Sequence, residues 1–206
     1  GLSLTDDALI EVAALVTDFE LNQLGDGDDI VIRPSDAALA QMDDFVRTMH
    51  TKSGLLDELS DGVTMEEAQQ QVLDYVRAWV PEARKAPLGG NTVGTDRGFL
   101  ARDMPELESH LHYRIIDVSS IKELSRRWYP RAFFAAPTKA GGHRALADIR
   151  ESIAELRYYR EAVFRDQPGR TSEELRAIAT QHVVDHHHTP SPVAQQAEMP
   201  AASDPV

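Results

Sequence analysis

Apolar residues crowd residues 8–19, "ALIEVAALVTDF", a run rich in β-branched side chains that reads as a buried strand. The polar, glycine-bearing segment "ELNQLGDGDD" predicts a turn, and "IVIRP" a second strand ended by Pro34. Strands so closely connected predict an antiparallel hairpin. Residues 35–60 read as short helices and loops, including "DAALAQM" and "GLLDELS". The period then becomes helical, with Met65, Ala68, Val72, Val76 and Trp79 on one face. Thr64 and Glu67 stand at capping-box spacing at the start of this run, and Pro81 ends it.

The second half alternates. "KAPLGGN" predicts a short buried strand, "TDRGFLARDM" a helix stopped by Pro105, and "HYRIIDV" another strand. Ser120 and Glu123 predict a second capping box opening "SIKELSRRWY", which ends at Pro130. After a loop through Gly142, a long helix is predicted over roughly Ala145–Phe164, with Leu146, Ile149, Ile153, Leu156 and Val163 on one side. Strand and helix in alternation imply parallel pairing in this half. The expected fold class is therefore α/β, a mixed sheet with helices packed on it. Residues 1–167 read as the domain and 168–188 as a short extension whose "TSEELRAIAT" is helical. The Pro-, Ala- and Gln-rich residues 189–206 read as a disordered tail.

Composition narrows the classes. A chain of 206 residues accommodates one such domain, and 42% hydrophobic with 27% charged residues is ordinary for a soluble protein. No apolar run is long enough to span a membrane, and no signal peptide is visible, although the sequence starts at Gly1 rather than Met. The absence of Cys removes disulfides and thiolate chemistry and fits a reducing cytosol, so a cytoplasmic location is expected. A formal net charge of -13 argues against a protein that coats long nucleic acid, but not against one holding a short oligonucleotide locally. The stretch "RRWYPRAFFAAPTKAGGHR", from Arg126 to Arg144, is basic against that background. His186, His187 and His188 are consecutive residues that do not build a closed coordination shell and read as incidental.

Two segments suggest chemistry. In "HRALAD", His143 stands at the start of the long helix and Asp148 in its first turns. The helix dipole disfavours a cation there, so the imidazole is better suited to accept a proton as a neutral base. Taken alone, the pair reads equally as a loop His and a solvated helix Asp. Asp96, in "GGNTVGTDRGFLARDMP", follows a short strand at the junction with a helix, where open α/β sheets place their ligands. A first-turn Asp favoured by the dipole would also account for it.

A resemblance makes the pattern specific. "GNTVGTDRGFLARDMPELESHLHYRIIDVSSIKELSRRWYP" followed by "HRALADIRESIAELRYYR" resembles the oligoribonucleases, members of the DEDDh family of 3'-to-5' exonucleases, as do "IEVAALVTDFELNQLGDG" and "MHTKSGLLDE". The resemblance runs from Gly1 to about Phe164. It implies a ribonuclease H-like fold, hydrolysis of short oligoribonucleotides including dinucleotides, and two Mg2+ or Mn2+ ions. His143 matches the family's general base, and Asp96 and Asp148 match metal-binding acids. Two ions about 3.5–4 Å apart would stabilise the attacking and leaving oxygens of an in-line displacement. Hard oxygen ligands suit Mg2+, and a His of near-neutral pKa suits proton removal from water.

Further positions carry over by the same resemblance. Leu2 and Phe45 match residues that hold the terminal bases, Trp being common at the second, and His50 lines the same pocket. Thr92, Arg114 and Ser119 match a cap on the 5' phosphate, where Ser is usual at the first position. Tyr113 matches a residue reaching the site from a partner subunit, which implies a homodimer. The family's first motif, Asp-x-Glu on the central strand, has no counterpart in these residues. That strand is expected to be absent here and the chain, taken literally, to be an impaired catalyst. The alternatives are a DEDDh exonuclease acting on DNA or structured RNA ends, disfavoured by the long match, and a non-catalytic dinucleotide-binding or dimerisation module.

Overall fold

The computed structural model describes residues 2–138 and 144–183. The chain divides into two units, Gly1–Arg165 and Asp166–Val206.

The first unit begins with the expected hairpin. Strand β1 (Glu11–Thr17) pairs antiparallel with β2 (Gln23–Val31), Val12 opposite Ile30 and Val16 opposite Leu24. The second strand starts well before "IVIRP". Most of the segment expected to be a turn is strand, and the turn itself lies at residues 18–22, with Leu21 at φ 66° and the Asp18 carboxylate accepting from Glu20 and Asn22 N–H. Gly25 and Gly27, taken as turn residues, permit close packing instead. Both have positive φ, and a Cβ on Gly25 would meet the Trp79 ring at 3.0 Å while one on Gly27 would meet Leu146 Cδ1 at 2.9 Å and the Ala14 carbonyl oxygen at 3.2 Å. Gly27→Ala is expected to destabilise by about 1–2 kcal/mol, the cost of a left-handed L residue. A urea midpoint equal to wild type would refute the left-handed backbone at Gly27.

Short helices α1 (Asp36–Gln41), α2 (Asp44–Ser53) and α3 (Leu55–Glu58) follow, then a 3-10 turn at Leu59–Asp61. Helix α4 (Met65–Trp79) opens on the predicted capping box, with the Thr64 side chain accepting from Glu67 N–H and the Glu67 carboxylate from Thr64 N–H. Its Ala68, Val72, Leu73 and Val76 are buried, but Trp79 is half exposed along the hairpin. Tyr75 pins the helix to the irregular part of the hairpin, its hydroxyl donating to the Leu24 carbonyl at 3.1 Å and accepting from Val16 N–H at 3.3 Å.

Strand β3 (Pro87–Gly90) pairs parallel with β4 (His112–Asp117) through the crossover helices α5 (Val93–Asp103) and α6 (Pro105–His110). The strand β3 is half exposed rather than buried. Pro105 stops α5, as expected, but also opens α6 at its first position, where the missing N–H costs nothing. Pro130 does the same between α7 (Val118–Trp128) and α8 (Pro130–Phe134). The expected Ser120 capping box is not formed. Asp117 caps α7 instead, accepting from Ser119 N–H at 3.1 Å, and Ser120 Oγ donates to the same carboxylate at 2.7 Å.

Among the described residues β1 pairs in a ladder with β2 alone and β3 with β4 alone, so the antiparallel and parallel halves form two short sheets within one α/β fold. Helix α9 (Ala145–Val163) packs against β1, β2 and β3 and bridges both. Its most buried residues are Ser152, Glu155 and Tyr159. The apolar side chains expected to define its inner face are only partly buried. The main core lies between the hairpin and α4, α5 and α6, built from Val12, Ile30, Ile32, Val72, Leu73 and Met104 among others.

In the second unit, α10 (Ser172–Gln181) opens on a capping box of Thr171 and Glu174. The three adjacent His and the expected tail lie outside the described residues. No helix among the described residues is long and apolar enough to cross a membrane.

Candidate active site

The loop after β3 delivers Asn91 and Thr92 to the start of α5, and Thr92 adopts a left-handed conformation, φ 54°, to make the bend. One turn further on is Asp96, in the first turn of the helix. Its side chain reaches solvent, yet surrounding protein desolvates the carboxyl enough to push its pKa up from the ordinary Asp value. A hydrogen bond from its own backbone N–H opposes this weakly, and no cation among the described residues compensates.

Two of the expected phosphate-cap residues meet. Thr92 N–H donates to Ser119 Oγ at 3.0 Å and to Asp117 Oδ1 at 3.0 Å, and the two hydroxyls lie 3.2 Å apart. Arg114 is exposed on β4, its guanidinium 5.4 Å from the ring centroid of Tyr113, which itself stacks on His112. Among the described residues Arg114 has no carboxylate partner, whereas three basic groups of the Arg126–Arg144 stretch are paired: Arg126 and Arg127 with Glu123, Arg144 with Glu11 and Glu58. Part of the local basic character read from the sequence is therefore offset within the fold.

The other candidates are less gathered. Asp148 is exposed in the first turn of α9. Leu2 and Phe45 are 82% and 78% exposed, so neither is the packed core residue that Phe45 could have been. His50 is half-buried near the end of α2. His143 lies outside the described residues. Residues Leu4 to Asp7 are tied to α5: Arg102 donates to the carbonyls of both, and Leu4 occupies the space beside Gly98. This brings the N-terminal segment that holds Leu2 onto the helix that holds Asp96.

Residues 1–156 match the RNase T family model, described as exonuclease. The chain belongs to this exonuclease family. It is 72% identical to an oligoribonuclease of Streptomyces avermitilis over 184 residues, 89% of this chain and 92% of that protein. It is 71% identical to the oligoribonuclease of Streptomyces coelicolor over the same shares. With the oligoribonuclease of Cutibacterium acnes the identity is 61% over 182 residues, 88% of this chain and 90% of that protein.

Exonucleases of this family work with divalent metal ions. The donor chemistry at Asp96 fits one, since a desolvated carboxylate without an opposing cation gains from a hard cation beside it. Asp148 offers a second carboxylate from α9. Among the described residues no three acids or histidines gather closely enough to form a complete ligand set.

The fold also reveals residues that sequence reasoning passed over. Asp117 orders the Thr92–Ser119 contact, and a cap-forming Asp directly before "VSS" was the available signal. Buried Glu155 receives Asn91 Nδ2–H at 3.0 Å and Lys122 Nζ at 3.1 Å. Arg144 and Glu11 anchor the start of α9. No sequence signal marked either of the last two groups.

Proposed function

We propose that this chain is a 3'-to-5' exoribonuclease that hydrolyses short oligoribonucleotides, dinucleotides included, to mononucleotides. The observation that carries the reading is the match of residues 1–156 to the exonuclease family, in a chain that sets Asp96 at the β3–α5 junction. The high identity to proteins named oligoribonuclease supports short RNA as the substrate class.

In this reading Asp96 and Asp148 help hold two ions, Mg2+ or Mn2+, and His143 removes a proton from the attacking water. The bound ions supply charge stabilisation to the attacking and leaving oxygens of the phosphodiester. The protein's own groups then position the substrate. Leu2 and Phe45 present exposed apolar surface to bases, a grip that tolerates any sequence, beside His50. Thr92, Ser119 and Arg114 form the cap around the 5' phosphate of a dinucleotide, and closing that end favours very short RNA. Tyr113, 71% exposed on β4, is available to a second copy, in keeping with a homodimer. A cytoplasmic site of action fits a Cys-free chain.

Arg114→Gln is expected to weaken binding of a 5'-phosphorylated RNA dinucleotide about tenfold or more, the loss of a charge-assisted contact. Unchanged affinity in calorimetry would remove Arg114 from the cap.

The alternative reading is a dinucleotide-binding module without catalysis. Hydrolysis of a 5'-labelled RNA dinucleotide with Mn2+ separates the two. It should be measured for this 206-residue chain and for one extended at its N-terminus. Turnover in either supports the enzyme. Binding without turnover in both supports the module.

A further inference from the structure

We propose that Asn91 is a positioning residue that sets the direction of the hydroxyl hydrogen bonds in the 5'-phosphate cap, making Thr92 the phosphate donor and Ser119 its support. The inference rests on the cap assignment above.

Ser119 Oγ carries one hydrogen, and it donates to Asn91 Oδ1 at 3.1 Å. This depends on which way the Asn91 amide faces, and the surroundings fix it. Asn91 Nδ2 donates to Ser152 Oγ at 2.9 Å and to Glu155 Oε2 at 3.0 Å. A carboxylate paired with a cation only accepts, and Lys122 Nζ lies 3.1 Å from Glu155 Oε1. Turning the amide over would set Oδ1 against that carboxylate inside the protein, where Ser152 and Glu155 are both buried. Asn91 Oδ1 is therefore held toward Ser119.

With its proton committed inward, Ser119 Oγ can only accept on its other side. It accepts from Thr92 N–H at 3.0 Å, and the 3.2 Å contact between the two hydroxyls must then have Thr92 as donor. Two hydroxyls that look equivalent in sequence thus differ. Thr92 is exposed, and its hydrogen can turn from Ser119 to an incoming phosphate oxygen. For Ser119 to donate, it would have to abandon Asn91. The same amide joins the cap to α9, since Ser152 Oγ donates in turn to the Asp148 carbonyl at 2.9 Å.

The test is selectivity, the ratio of kcat/KM for a 5'-phosphorylated RNA dinucleotide to that for its 5'-hydroxyl counterpart, measured in whichever of the two chains above turns over. Thr92→Val is expected to lower the ratio about tenfold, the loss of a donor to a charged group. Asn91→Ala should lower it in the same direction, and the double variant should be no worse than Thr92→Val alone. Ser119→Ala should lower it less than Thr92→Val does. Glu155→Gln, which lets the amide turn, should reproduce part of the Asn91→Ala loss and guards against misfolding of that variant. An equal loss on both substrates for Asn91→Ala and Glu155→Gln would make Asn91 merely structural and overturn the proposal. So would a larger loss for Ser119→Ala than for Thr92→Val. Turnover by wild type without preference for the 5' phosphate would overturn the cap and this proposal together, leaving the exoribonuclease reading standing. Absence of wild-type turnover would overturn that reading itself.

Discussion

Asp96→Asn is expected to end hydrolysis without costing stability. Loss of one carboxylate from a metal-dependent phosphodiester site removes several kcal/mol of transition-state stabilisation, a fall in kcat of roughly a thousandfold or more. Stability should move the other way. Desolvation places the folded-state pKa of Asp96 above its ordinary value. A carboxyl whose folded pKa exceeds its unfolded pKa makes the native state bind more protons between the two, so stability falls as pH rises through that interval. Above it the ionised group is a fixed cost, which the neutral amide removes. Solvent contact screens the effect, so the metal-free variant should match or slightly exceed wild type at pH 7, with the difference vanishing below the unfolded Asp pKa. Mn2+ should raise the Tm of wild type, since a ligand that binds only the folded state stabilises it, and should raise that of the variant less. Urea unfolding in EDTA, thermal melts with and without Mn2+, and dinucleotide hydrolysis are the measurements. Marked destabilisation would make Asp96 a structural residue, and near-normal turnover would remove it from the metal site.

The place of Asp96 in the fold was legible because a local pattern carries it. It follows a short strand and begins a helix, and both elements are written in the residues around it. The hairpin, α4 and the parallel pair were legible for the same reason, through apolar runs, a helical period and a capping box. Legibility failed where a distant partner decides. Gly25 and Gly27 look like turn residues, and only Trp79 and Leu146 packing onto them show why a strand carries them. Ser120 and Glu123 match a capping box, but Asp117 caps α7 while also accepting from Thr92 N–H, 25 residues away in sequence. A competing cap with a long-range bond prevails over a local one. The buried side of α9 was misread because Glu155 can be buried only with Asn91 and Lys122 beside it, and neither is within reach of a periodicity argument. The candidate site divides likewise. Its motif positions were recognisable by resemblance, and the hydrogen bonds that orient Thr92 and Ser119 were not.

Arg144→Met is expected to destabilise the protein by about 3 kcal/mol, the cost of leaving a buried charge without its partner. Arg144 Nε donates to Glu11 Oε1 at 2.6 Å, and its other two nitrogens engage the Glu58 carboxylate at 2.8 and 3.0 Å. The two acids are not equivalent. The Glu11 side chain is 7% exposed and that of Glu58 48%, so most of the loss belongs to Glu11. Glu11 Oε2 also accepts from Ala145 N–H at 3.0 Å, satisfying an otherwise unpaired donor at the start of α9. Nearby Asp29, whose carboxyl is pushed up by burial and then by the Glu11 charge, loses the opposing attraction of Arg144 as well. Glu11→Leu added to Arg144→Met should recover much of the stability, because an apolar pair bears no desolvation cost. The pH dependence has a definite sign. The Arg144 hydrogen bond holds the Glu58 carboxyl below the ordinary Glu range. A folded pKa below the unfolded one contributes stability that is present above the unfolded value and lost as pH falls through the folded one. The part of the gap that Glu58 contributes, small because its carboxylate is exposed, should therefore be present near neutrality and fade in acid. Urea midpoints across that range decide it. A single variant within about 1 kcal/mol of wild type, the worth of an exposed pair, would show that Glu11 is solvated after all. A double variant no better than the single one would show that the start of α9 needs the Glu11 carboxylate for its helix end more than for its charge.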